Sequence, residues 1–122
     1  GGAPSAALWE VLRLCEALVA PVPRTWWADH ADAYGTGGAD ESDDDATCRA
    51  PLRRFLCELA ASRTVAALGG AHERGSPAAS SFGARLAALM LLVSPAPAVA
   101  RFSAENAAAR ALARRFGVDE AV

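Results

Sequence analysis

The side chains that could do chemistry are few. They are the "DHAD" run with Asp29, His30 and Asp32, the second histidine His72, and three cysteines, Cys15, Cys48 and Cys57. Structural zinc sites use paired ligands at short fixed spacings such as C-x-x-C. Cys48 and Cys57 stand nine positions apart with no second pair to complete a set. No metal and no other cofactor is expected, and Asp29, His30 and Asp32 read as surface residues beside a tryptophan anchor. A nucleophilic triple can be written from Cys48, His72 and Asp45, but almost any chain of this size offers one. No nucleophile elbow, phosphate-cradling glycine loop or H-E-x-x-H is present. "GTGG" is no dinucleotide fingerprint, because no strand precedes it. No catalytic residue is assigned, and the expectation is a non-enzymatic protein. An odd number of cysteines without tight spacing argues against a disulfide framework. Cys15 and Cys57 read as small buried hydrophobes in a reducing compartment.

The densest charge is acidic. "GTGGADESDDDATC", residues 35–48, holds five carboxylates around Ser42 and no large apolar side chain. Such a stretch cannot offset the entropy of being ordered and reads as a flexible acidic insertion loop. Asp43, Asp44 and Asp45 directly after Ser42 suit an acidophilic kinase, and phosphorylation would add roughly -1.5 to -2 charges. The alternative is a solvated spacer whose carboxylates keep it soluble.

Basic charge gathers at the other end, in Arg101, Arg110, Arg114 and Arg115. These side chains could meet phosphates, which makes a nucleic-acid-associated helical domain the second functional reading. The net charge of -2 and pI of about 5.6 oppose it, since a dedicated binder needs a basic stripe to displace counterions. Arginine near a helix C-terminus also complements the dipole there. Nucleic acid is therefore not the favoured partner.

"RTWWADH" sets Trp26 and Trp27 side by side after Arg24. Adjacent helical residues point about 100° apart, so one ring can anchor in the core while the other stays near the surface. An aromatic beside an arginine is typical of interface hot spots. Trp26, Trp27 and Arg24, with Leu8 and Val11 from the first helix, are the expected partner contacts.

The elements that must position these groups are helical throughout. Hydrophobic residues make up 52% but aromatics only 7%, so the apolar content is largely alanine and leucine, both strong helix formers. All 12 basic residues are arginine. Leu8, Val11, Leu12, Cys15, Leu18 and Val19 predict an amphipathic helix over 5–20, stopped by Pro21 and Pro23. A short helix over 25–34 can follow Thr25. A second main helix is expected to open at Pro51 and bury Leu52, Phe55, Leu56, Leu59 and Ala66. Arg53, Arg54 and Glu58 should face outward, with Gly69 and Gly70 as the stop. A third runs from the Ser76 cap and Pro77 to Val93, and a last from Ser103 to Phe116, with Ala108, Ala111, Leu112 and Phe116 inward and Gly117 as its end. Between Pro77 and Val93 only Arg85 is charged, which marks a buried helix. No strand-like alternation appears.

The expected fold is all-α: a compact bundle of four main helices, five or six counting short ones, around a buried central helix at 77–93. The layout is similar to that of Bcl-2-like and death-domain-like interaction modules, an analogy of layout only, from which no function follows. The chain reads as one domain, 1–122, large enough for its own core. It lacks an initiator methionine, so a piece of a larger protein is expected. No apolar run is long enough for a bilayer. The leading function is a protein–protein interaction domain of an intracellular regulatory protein, cytoplasmic or nuclear, that binds a partner helix or peptide in an apolar groove. Self-association through an alanine-rich face is a further expectation.

Overall fold

The computed structural model describes residues 3–29, 44–94 and 103–118, with side chains at 3–27, 51–94 and 106–118. Six helices lie among the described residues, and no strand. They are α1 (Ala6–Val19), α2 (Arg24–Asp29), α3 (Asp44–Ala60), α4 (Arg63–Glu73), α5 (Pro77–Val93) and α6 (Ser103–Arg115). The protein is an all-α helical bundle, and α5 packs against each of the other five helices.

The ends of α5 fall where its sequence signals put them. Ser76 accepts a hydrogen bond from the Ala79 amide at 3.3 Å, and Pro77 occupies the first position, where a missing N–H costs nothing. Ala79, Phe82, Gly83, Leu86, Ala87, Leu89, Met90 and Val93 are buried. α1 is capped in the same way by Ser5 and buries Leu12, Cys15 and Val19. Leu18 does not join them: it is exposed.

The expected second main helix is two helices. Ser62 divides them, its hydroxyl donating to the Leu59 carbonyl at 2.6 Å and accepting from the Val65 amide at 3.3 Å. One side chain thus closes α3 and opens α4. Gly69 and Gly70 lie inside α4 and do not end it. The stop is Gly75, at φ +91°, where the Ser76 amide returns to the Ala71 carbonyl and the Gly75 amide to that of His72. That paired return, with a left-handed residue, is a Schellman cap. Gly117, at φ +73°, closes α6 the same way.

At its other end α3 begins at Asp44, so Pro51 lies inside it. The helix forgoes the bond that an amide at 51 would give the Thr47 carbonyl. Asp44 and Asp45 stand in the first turn, where the helix dipole favours anions. Residues 44–48 are therefore helical rather than part of a loop. The remainder of the acidic stretch, Ser42 included, lies outside the described residues.

Three further expectations are corrected. The inward face of α6 is Asn106, Ala109, Leu112, Ala113 and Phe116, while Ala108 and Ala111 are exposed. Phe55 is exposed as well. The sharpest correction concerns Arg53, which is only 1% exposed. Its Nε donates to the Val93 carbonyl at 2.7 Å, its Nη2 donates to the Trp27 carbonyl, and its guanidinium stands 5.1 Å from the centroid of the Trp27 ring. The carbonyls it meets are at the C-terminal ends of α5 and α2, where the helix dipoles are negative and chain carbonyls lack helical partners.

A glycine notch sets the close approach of α6. A Cβ on Gly83 would overlap the ring of Phe116, and one on Gly69 would meet the guanidinium of Arg115. The ring is buried and cannot yield, whereas the guanidinium is the far end of a flexible side chain.

Arg53→Met should lose about 2–4 kcal/mol in chemical denaturation, because two carbonyls at helix ends lose their donor. Arg53→Lys should lose less but not recover, since an ammonium cannot make the planar fork and stack. Gly83→Ala should cost on the order of 2 kcal/mol despite its better helix propensity, and Gly69→Ala should be neutral or stabilise by up to about 1 kcal/mol. Equal effects at the two glycines would contradict the packing.

Candidate partner-binding site

α1 carries two apolar stripes one residue out of step. Leu8, Leu12, Cys15 and Val19 face the bundle, and the last three are buried. Ala7, Val11, Leu14 and Leu18 follow the same 4-3-4 spacing on a neighbouring face. Ala7, Leu14 and Leu18 are exposed, Leu14 by 62% and Leu18 by 49%, and Val11 is half-buried. One stripe suffices to fix a helix in a bundle. The second is hydrophobic surface left to water.

Beside the start of that second stripe lies a groove of about 590 Å³. Ala3, Pro4, Ser5, Ala7, Leu8 and Val11 form one wall, and Thr64, Ala67 and Leu68 of α4 the other. None of these nine carries a charge. Leu68 is buried and Leu8 and Val11 are half-buried, while small Ala7 and Ala67 keep the mouth open. Both walls belong to the first turns of capped helices, α1 from Ser5 and α4 from Ser62. Beyond the groove, the stripe continues along α1 through Leu14 and Leu18.

The expected contact residues divide. Leu8 and Val11 line the groove. Trp26 is half-buried, edge-on to Trp27 with centroids 5.1 Å apart, and Arg24 is exposed at the first position of α2. Neither Trp26 nor Arg24 lines the groove. Trp27 is fully buried and cannot present its ring to a partner in this conformation. Its packing is set by Arg53, which no local sequence signal ties to it. The residues missed from sequence were Ala3, Pro4, Ser5 and Ala7 around the start of α1, Thr64, Ala67 and Leu68, hidden by reading α3 and α4 as one helix, and Leu14. The signal for Leu14 is the spacing 7, 11, 14, 18, which runs beside the stronger inward stripe.

Of the C-terminal arginines, Arg101 lies outside the described residues. Arg110 is half-buried, and Arg114 and Arg115 are exposed. Arg115 is already engaged, donating to the Ala66 carbonyl of α4 at 3.2 Å.

Other reactive groups serve the fold. His72 Nδ1 lies 2.6 Å from Ser80 Oγ, which donates to the Ser76 carbonyl, and the His72 ring stands 5.2 Å from that of Phe116. These contacts tie α4 to α5 and α6. Arg85 pairs with Glu16, its Nε 3.1 Å from Oε2, and stands over Trp9. That pairing raises the pKa of Arg85 and links α5 to α1. Trp9 in turn packs edge-on against Phe82 at 5.2 Å. Among the described residues no three or more His, Cys, Asp or Glu gather as for a metal ion. No described helix is long and apolar enough to cross a membrane.

No family model, no curated protein and no solved structure matches this chain. The site must therefore be read from its own chemistry.

Cys15 is a buried thiol and Cys57 a half-buried one. Burial, reinforced by the neighbouring Glu16 carboxylate, raises the Cys15 pKa above its ordinary 9.0. The fold therefore prefers the neutral thiol. That preference is fully present below pH 9 and is lost as pH rises through the raised value. Half-buried Cys57 should react with an aromatic disulfide reagent at pH 8 well before Cys15, which should need denaturant. Stability should fall more steeply above pH 9 in the native chain than in Cys15→Ala. A Cys15 that labels as fast as a model thiol would refute its burial.

Proposed function

We propose that this is a non-enzymatic protein-interaction domain that seats a helix of a partner protein along α1. The observation that carries the reading is the uncharged α1–α4 groove running on into the exposed Leu14 and Leu18. An amphipathic helix laid on such a surface matches it at helical spacing, and hydrophobic burial supplies the affinity. Monomeric proteins seldom leave a contiguous apolar stripe without use for it. We place the domain in an intracellular regulatory protein, in keeping with an odd number of cysteines without tight spacing.

The test compares capture of partners by the native chain with capture by Leu14→Glu/Leu18→Glu and by Ala67→Glu. All three positions are exposed, so each variant should keep its helical circular dichroism and its melting behaviour. Ala17→Glu, exposed on α1 but off the stripe, is the control. A protein held by the native chain and the control and lost by both stripe variants supports the reading. Retention indifferent to all of these changes overturns it.

A further inference from the structure

The two edges of the groove differ in charge. On the α1 side the nearest ionic groups, Glu10 and Arg13, are paired with each other. That edge is neutral. On the α4 side, Arg63, Ala67, Gly70 and Arg74 share one helical face by their 4-3-4 spacing. Ala67 is a wall of the groove. Arg63 and Arg74, one turn or more to either side of it, are exposed, and neither makes an ion pair among the described residues. Arg115 meets α4 at Gly69 and the Ala66 carbonyl, on the face turned away from Ala67, and does not border the groove. Against these two guanidinium groups of the Ala67 face α4 sets one exposed carboxylate, Glu73.

Resting on the groove reading above, we propose that its occupant is an amphipathic helix of another protein with acidic residues along the edge that meets α4. The apolar stripe sets the occupant's heptad spacing, and Arg63 and Arg74 set its orientation and its charge. A second copy of this chain fits less well. Its α1 would bring a Glu10 already neutralised by Arg13, and its α4 would bring arginines against arginines. A basic amphipathic helix would meet the same repulsion at Arg63 and Arg74.

Two synthetic helices of about 18 residues provide the test, long enough to cover α1 from the groove to Leu18. Both carry leucine at the a and d positions. One has glutamate and the other lysine along one flank. Fluorescence anisotropy with the whole chain should show the glutamate peptide binding at least about tenfold more tightly at low salt. That preference should shrink in about 1 M salt. Arg63→Glu/Arg74→Glu should reverse it, and Leu14→Glu/Leu18→Glu should weaken both peptides. Equal binding of the two peptides, unmoved by the arginine reversals, would overturn the acidic edge and leave the groove reading standing. Binding of neither peptide, with a dimer in sedimentation that Leu14→Glu/Leu18→Glu dissolves, would give the groove to a second copy and overturn the proposal. Binding of neither by a monomer would overturn the groove reading itself.

Discussion

A buried arginine that holds two helix ends organises this bundle. Arg53 comes from the middle of α3, yet its Nε and Nη2 donate to α5 and α2. Desolvating a guanidinium is expensive unless its protons find acceptors. Here the acceptors are carbonyls that no helix could satisfy from within. Each requirement answers the other, so the C-terminus of α5 must lie beside α3, and α2 must lie close enough to share the same fork. The Trp27 ring against that guanidinium follows from the arrangement. With one end of α5 set, five helices can cover a segment whose apolar residues occur on nearly every side.

The opposite part of α5 is held by shape. Gly83 removes the side chain that would keep Phe116 away, and the ring of Phe116 then reaches His72 on α4. The hydrogen bond from His72 to Ser80 joins α4 and α5 at the same corner. The Gly75 and Gly117 caps turn the chain at the ends of the two helices that meet there. α5 is thus fastened by polar donors near Val93 and by a steric notch near Gly83. The notch works only because Ser76 and Gly75 set the phase at which α5 begins.

The legible parts of the sequence were those with local signals. Ser76-Pro77 and Ser94-Pro95 bracket α5, and an apolar run with one charge says that it is buried. α1 is legible from its period and from Pro21 and Pro23. What failed depends on distant partners or on residues with little preference. Arg53 reads as surface because arginine usually is, and the carbonyls that draw it inward lie 26 and 40 residues away in sequence. The inward face of α6 was misplaced because alanines mark no side, and only Leu112 and Phe116 fix the rotation. Ser62 was passed over because apolar residues continue on both sides of it. That omission also hid the α4 wall of the groove, and of its α1 wall only Leu8 and Val11 could be named beforehand.

The surface of α1 has its own logic. A helix at the edge of a bundle needs one apolar face, and Leu12, Cys15 and Val19 provide it. Placing Ala7, Val11, Leu14 and Leu18 one step further round widens that face past what the bundle covers. The widening is ordered: it keeps the 4-3-4 period, it begins where α4 leaves room, and its outer border is the Glu10–Arg13 pair. Scattered exposed leucines would need no explanation. A periodic stripe that joins an uncharged groove does, because leucine confers no solubility and tight burial elsewhere does not require it. The neutral border on α1 and the cationic border on α4 then give the surface a polarity as well as a period. Period, volume and charge asymmetry together are the features on which the proposed acidic, amphipathic partner helix rests.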